Sequence, residues 1–129
     1  MRKKEIKKLY EGNSYSAEIL RWVDGDTVIL SIDLGFNISV KEKARLARVD
    51  APEVRKYAHV TESEKRRGLA LKQRLNEMLP VGTLVVVSAV KKGKYGRYLV
   101  EVWYQDKDGS RNNLNDWLLN KNLVEEVAY

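Results

Sequence analysis

Apolar and polar positions alternate with a period of two along Val28, Leu30, Ile32 and Leu34, with Thr27, Ser31 and Asp33 set among them. That pattern predicts a half-buried strand. Gly35 interrupts it, Phe36, Ile38 and Val40 resume it, and it runs on less cleanly through Ala44, Leu46 and Val49. A β-prone stretch from Tyr15 to Val23 precedes these segments and ends at the turn signal Asp24-Gly25. Three strands joined by short turns make a meander. The period then changes. Thr61 with Glu64 three residues later is a capping-box signature, and Leu71, Leu75, Met78 and Leu79 share one helical face. Pro80 and Gly82 end that helix. Leu84 to Val87 reads as a short buried strand, Lys91-Lys92-Gly93-Lys94 as its turn, and Tyr98 to Tyr104 as the returning strand. A polar loop with Asp106, Asp108 and Gly109 leads to a shorter helix carrying Leu114, Trp117 and Leu118, and the chain closes with Leu123 to Tyr129.

Three strands, a helix and two strands is the element order of an oligonucleotide/oligosaccharide-binding (OB) barrel. The expected class is α+β, mainly β: a five-stranded antiparallel OB-fold barrel with one long and one short helix. Residues 1–12 read as a basic N-terminal arm and 13–129 as a single domain. Trp22, Trp103 and Trp117 are expected in or near the core, and His59 in an exposed basic loop.

Composition narrows the chemistry. The 129 residues contain no cysteine and one histidine, which excludes disulfides, thiolate zinc sites and a cysteine nucleophile. Catalysis would run on carboxylates, arginine, lysine or tyrosine. The 24 basic and 18 acidic residues give a net charge of +6, which favours polyanionic partners. Met1-Arg2-Lys3-Lys4 resembles the charged start of a signal peptide, but Glu5, Lys7, Lys8 and Glu11 interrupt any apolar run after it. No cleavable signal and no membrane span are expected. By default that places the protein in the cytoplasm, or outside the cell if a leader was removed.

Two carboxylate clusters follow apolar stretches: Asp24-Gly25-Asp26-Thr27 and Asp50-Ala51-Pro52-Glu53. Singly, each is an ordinary turn or loop. Together, at strand ends, they offer oxygen ligands for a hard cation, with the carbonyl before Pro52 as a further donor. Arg45 and Arg97 are then candidates to hold a phosphate in a fork, although a structural Arg45–aspartate pair and a surface Arg97 are the plainer alternatives. Lys94 adds a point charge, while Tyr95 and Tyr129 either stack on bases or pack with their hydroxyls at the surface.

The segments Val23-Asp24-Gly25-Asp26-Thr27, Arg45-Leu46-Ala47-Arg48-Val49-Asp50-Ala51-Pro52-Glu53 and Lys94-Tyr95-Gly96-Arg97 resemble, in order, the motifs of the staphylococcal (micrococcal, thermonuclease-type) nuclease family. Val127-Ala128-Tyr129 echoes a fourth. The resemblance runs from about Tyr15 onward. It implies a calcium-dependent nuclease that hydrolyses DNA and RNA, with single strands preferred, and leaves 3′-phosphate ends. Asp26, Asp50 and the backbone carbonyl of Ala51 look like the Ca2+ ligands, with Asp24 in the outer shell. Glu53 looks like the general base or the group that orients the attacking water. Arg45 and Arg97 look like the phosphate-holding pair, and Lys94, Tyr95 and Tyr129 like nucleotide contacts. A monomer is expected. Alanine stands at 51 where the best-known members have threonine, which removes a hydroxyl but keeps the carbonyl. The segment 54–60 differs from the familiar pattern, the loop over 106–111 is enlarged, and the basic arm has no counterpart. The alternative is a non-catalytic OB-fold module that binds nucleic acid or a protein.

Overall fold

The strand order β3-β2-β1-β5-β6-β7 defines the molecule, because β3 and β6 also pair and so close five of these strands into a barrel. The computed structural model describes residues 13–52, 60–92 and 96–128. The elements are β1 (Asn13–Asp24), β2 (Thr27–Gly35), β3 (Ile38–Leu46), β4 (Val49–Asp50), α1 (Glu62–Met78), β5 (Leu84–Lys92), β6 (Tyr98–Gln105), β7 (Arg111–Asn113), α2 (Leu114–Asn120) and β8 (Glu125–Glu126). The expected OB-like α+β barrel with one long and one short helix is therefore present. Every barrel pairing is antiparallel except the closing one, Arg45↔Leu99 and Leu46↔Val100. An odd number of alternating strands leaves its two edges running the same way, so closure has to be parallel.

β1 is long enough to serve two neighbours. Its first half pairs with β5 and its second half with β2, with register shifts at Ile19/Arg21 and Trp22/Asp24. Such bulges coil a strand and let it turn a barrel corner. The core is the inner face of the meander and of the two later strands: Ile19, Trp22, Val28, Leu30, Leu46, Val87 and Val102 are fully buried. α1 adds Leu71, Leu75 and Leu79, and α2 adds Leu114 and Leu118. Thr61 caps α1 as its sequence predicts, its hydroxyl accepting from Glu64 N at 3.1 Å. At the other end Trp22 Nε1 donates to Leu79 O at 3.1 Å, tying β1 to the helix terminus. Trp103 and Trp117 are half-buried, with the guanidinium groups of Arg111 and Arg74 over their rings.

Several boundaries differ from the sequence reading. β3 stops at Leu46, and Arg48 turns the chain at φ 69° before the separate β4, so Arg45 and Asp50 lie on different strands. β4 pairs with β8 in a second, two-stranded sheet. β5 runs through Lys91 and Lys92, which therefore belong to a strand rather than a turn. The alternation that predicts a core face along β2 and β3 also overshoots the core. Leu34, Ile38 and Val40 are exposed and Phe36 is 98% exposed, because the hairpin projects past the barrel. His59 lies outside the described residues. Among the described residues no helix is long and apolar enough to cross a membrane.

Candidate active site

The site is built where the β1–β2 turn meets the ends of β3 and β4. Asp24 ends β1, Gly25-Asp26 turns the chain, and Thr27 starts β2 with Asp24 as its partner. Asp26 is 5% exposed, and both its oxygens are engaged. Thr27 Oγ1 donates to its Oδ1 at 2.9 Å, and Ala51 N donates to its Oδ2 at 2.9 Å. Arg45 Nη1 lies 2.6 Å from the same Oδ2. Arg45 comes from β3, directly opposite Thr27 in the ladder. Its Nη2 reaches Asp50 Oδ1 at 3.1 Å and donates to Val49 O at 3.4 Å. One guanidinium thus bridges a buried carboxylate on the β1–β2 turn and an exposed one at the end of β4. Backbone bonds hold the frame: Leu46 N donates to Asp26 O at 2.8 Å.

Gly25 makes the closeness possible, and not through its backbone freedom. A Cβ there would sit 2.4 Å from Leu71 Cδ2 and 3.0 Å from Ala51 Cβ, so the turn lies directly under α1. Leu71 is itself buried and has little room to move. Gly25→Ala is expected to destabilise the fold by about 1–3 kcal/mol through overpacking. Gly25→Ala/Leu71→Ala should lose less than the two single losses summed. Urea unfolding of the three variants checks this, and simple additivity would contradict the contact.

A second polar cluster holds β4 in place. Arg48 Nε and Nη2 reach both oxygens of Glu101 at 3.0 and 2.6 Å, and Nη2 also meets Asp116 Oδ1 at 2.8 Å. Those two carboxylates hold the guanidinium protonated well above its ordinary range, Glu101 contributing most. Asn115 is fully buried; its amide donates to Ala47 O at 2.8 Å and Val100 O at 3.1 Å, and its oxygen accepts from Val102 N at 3.1 Å. The turn Ala47–Arg48, and with it the path to Asp50 and Ala51, is therefore bolted to β6 and α2. Sequence reasoning gave neither residue a role. Asn115 has one available signal: it is a polar residue between Leu114 and Leu118, on a helix too short to spare a core position.

Asp26, Arg45, Asp50 and Ala51 meet directly. Asp24 is half-buried at the same turn, with its Oδ1 shielded from solvent. Arg97 is half-buried just before β6, and Leu99 of that strand pairs with Arg45, so Arg97 enters one strand over from Arg45. Glu53, Lys94, Tyr95 and Tyr129 lie outside the described residues. Beside Asp50, Ala51 and Pro52 a cleft of about 270 Å³ opens toward Glu64 and Arg67 of α1.

Among the described residues no group of three or more acidic or histidine side chains is close enough together to hold a metal ion. The donors that do converge are still all oxygen: Asp26 and Asp50 flank one guanidinium, and Asp50 faces solvent. A hard divalent cation often takes one or two carboxylates and fills its shell with water and substrate phosphate, which suits this set. Arg45 already neutralises part of that charge, so a cation would share Asp26 and Asp50 with it.

No curated protein matches the chain. The family model for staphylococcal nuclease homologues matches residues 43–127, a stretch that includes Arg45, Asp50, Ala51 and Arg97 but begins after Asp24 and Asp26. That match spans well over half of the chain, and with a closed five-stranded barrel around the convergence of Arg45 on Asp26 and Asp50, the protein belongs to the staphylococcal nuclease homologue family.

Proposed function

We propose that this protein is a calcium-dependent phosphodiesterase acting on DNA and RNA. The family is generally one of nucleases, and the observation that carries the finer reading is the bridge from Arg45 to Asp26 and Asp50 at the mouth of the barrel. Asp26, Asp50 and the Ala51 carbonyl would hold the cation, with Asp24 acting through its water shell. When bound, a hard divalent ion supplies positive charge against the non-bridging phosphate oxygens.

The chain's own residues then divide the work. Arg45, on β3, and Arg97, just before the neighbouring β6, would take the charge that grows on phosphorus as water attacks. Charge partners fixed in advance stabilise that state more than the ground state. Glu53 takes the proton from the attacking water as the new P–O bond forms. The P–O5′ bond breaks, the 5′ oxygen takes a proton from solvent water as it leaves, and the phosphate stays on the 3′ side. Lys94, Tyr95 and Tyr129 would contact the nucleotide.

Incubating labelled single-stranded DNA and RNA with calcium, and with a chelator in its place, tests the reading. Cleavage is expected only with calcium, with 3′-phosphate ends. Glu53→Gln and Arg97→Ala should each lower turnover by about 10²-fold or more while leaving the melting temperature nearly unchanged. Metal-independent cleavage, or full activity in both variants, would refute it. One observation favours a second reading, a non-catalytic module that binds nucleic acid or a protein. Both terminal nitrogens of Arg45 are already committed to protein carboxylates, so the pair could be purely structural. Salt-sensitive binding of strands with no hydrolysis under any divalent cation would establish that reading instead.

A further inference from the structure

The β2–β3 hairpin runs well beyond the barrel and has two unlike faces. In the antiparallel ladder Arg45 pairs with Thr27, Lys43 with Ile29 and Lys41 with Ser31, without a register shift until Asp33/Gly35. Side chains two residues apart on a strand point the same way. Arg45, Lys43 and Lys41 therefore form a cationic row on one face of β3, while Ala44 and Leu46 between and beyond them are buried in the core. The row starts in the candidate site and leads outward. Lys41 and Lys43 are both exposed, and no ion pair among the described residues occupies either ammonium.

At the outer end the chain reverses through Phe36 and Asn37, both left-handed at φ 53° and 61°. A two-residue turn with both central residues left-handed is the type I′ geometry that matches strand twist, yet it strongly favours Asn and Gly. Phenylalanine there takes an unfavourable conformation and is 98% exposed, contributing nothing to the core. Folding gives no reason for an aromatic at this place; stacking on a partner would.

We propose that this hairpin face is an extended track for single-stranded nucleic acid. Lys43 and Lys41 take successive backbone phosphates leading away from the one held at Arg45, and Phe36 stacks on a base at the far end. The row repeats every about 6.8 Å, two strand residues, which is comparable to the spacing of phosphates along an extended strand. Asp33, on the same face near the tip, is turned back locally, its Oδ1 accepting from Gly35 N at 2.8 Å. Lysines tracking a backbone with an aromatic platform is a sequence-tolerant way to bind single strands. The proposal rests on the phosphate at Arg45 from the preceding reading, but it makes a separate demand: affinity must depend on strand length.

Fluorescence anisotropy with a labelled thymidine dodecamer in EDTA reads binding apart from cleavage. NMR titration with a thymidine dinucleotide, whose single phosphate fills only the Arg45 position, supplies the short-ligand control. Lys41→Ala/Lys43→Ala should weaken dodecamer binding about tenfold and flatten the slope of log K against log salt by about 1.4, the value for two lost phosphate contacts on a single strand. Phe36→Ala should weaken it about fivefold or more with the slope unchanged. Dinucleotide binding should be the same in all variants, and circular dichroism melts should coincide, since all three side chains are exposed. Dodecamer affinity and slope unmoved by both variants would overturn the proposal, as would equal losses on the dinucleotide. So would a change of sedimentation coefficient in Phe36→Ala with DNA affinity intact, because the tip would then be a contact between protein chains. If no nucleic acid is cleaved under any condition, these binding measurements still stand or fall by themselves.

Discussion

Arg45→Ala is expected to lower the free energy of unfolding by about 3 kcal/mol, within the range for breaking one side of a buried ion pair. The magnitude follows from what stays behind. Asp26 has 7% of its side chain exposed and, among the described residues, would keep the Thr27 hydroxyl and the Ala51 amide as donors. Asp50, 49% exposed, can turn to water, so its half of the bridge contributes little. The loss should therefore reside almost wholly in Asp26. Asp26→Asn in the Arg45→Ala background should recover part of it, because the amide no longer needs a counter-charge. Arg45→Lys is expected to fall between, with charge kept and the fork to two carboxylates lost. Urea unfolding of the four proteins measures all of this. A loss under about 1 kcal/mol for Arg45→Ala would show that the pair behaves like a surface salt bridge despite its burial. Under the proposed function the same variant should also lose about 10²-fold or more in cleavage. Assayed far below its melting temperature, it separates that loss from unfolding.

The same residues show where the sequence was readable. β2 was legible because Val28 and Leu30 point into the core while Ile29 and Ser31 on the other face are half-buried, and α1 because Thr61 and Glu64 mark its first turn chemically. Asp26, Arg45 and Asp50 were legible as a set because each stands in a short motif at the end of an apolar stretch, where a strand gives way to a turn. The end of β3 was not legible. Ala47 and Val49 are both buried, so the segment stays apolar through a left-handed turn at Arg48, and only a one-residue slip in the alternation between Leu46 and Ala47 marks it. Hydrophobic pattern also cannot separate a core face from an exposed one of the same composition. Leu34, Ile38 and Val40 alternate like core residues but lie where the barrel has already ended. Gly25 was read correctly as a turn residue for an incomplete reason: the constraint comes from Leu71, forty-six positions away (71 − 25), which no local rule contains. Lys91 and Lys92 hid the last two residues of β5, since lysines running into a glycine read as a turn and carry no apolar signal.

Asn115 is the residue whose replacement should damage most with the least change in volume. Asn115→Leu is expected to destabilise the fold by about 3 kcal/mol or more, although it puts an apolar side chain of similar size on an apolar helix face. The amide currently satisfies two main-chain carbonyls, Ala47 O and Val100 O, and its oxygen satisfies Val102 N. Leucine would strand Ala47 O and Val102 N in a site with no solvent access, while Val100 O keeps the Ala47 N–H at 2.8 Å, and each unsatisfied buried group costs on the order of 1–3 kcal/mol. Partial relaxation or an admitted water keeps the sum below the simple total. Asn115→Asp should be worse still at neutral pH. It keeps the acceptor for Val102 but sets a second negative charge against two carbonyls and against Glu101, whose Oε2 now lies 3.3 Å from the Asn115 amide nitrogen. Urea unfolding ranks the variants, and amide hydrogen exchange locates the damage. Val102 N–H should lose protection in Asn115→Leu beyond what global stability accounts for, while the β1–β2 pairing keeps its protection pattern. The effect should also reach the site, because Ala47 leads through Arg48 and Val49 into Asp50. Even well below its melting temperature, Asn115→Leu should lower the hydrogen-exchange protection of the Ala51 N–H, which donates to Asp26 Oδ2 at 2.9 Å. If that protection is unchanged, Asn115 supports the barrel wall alone, and the path to Asp50 is fixed by β8.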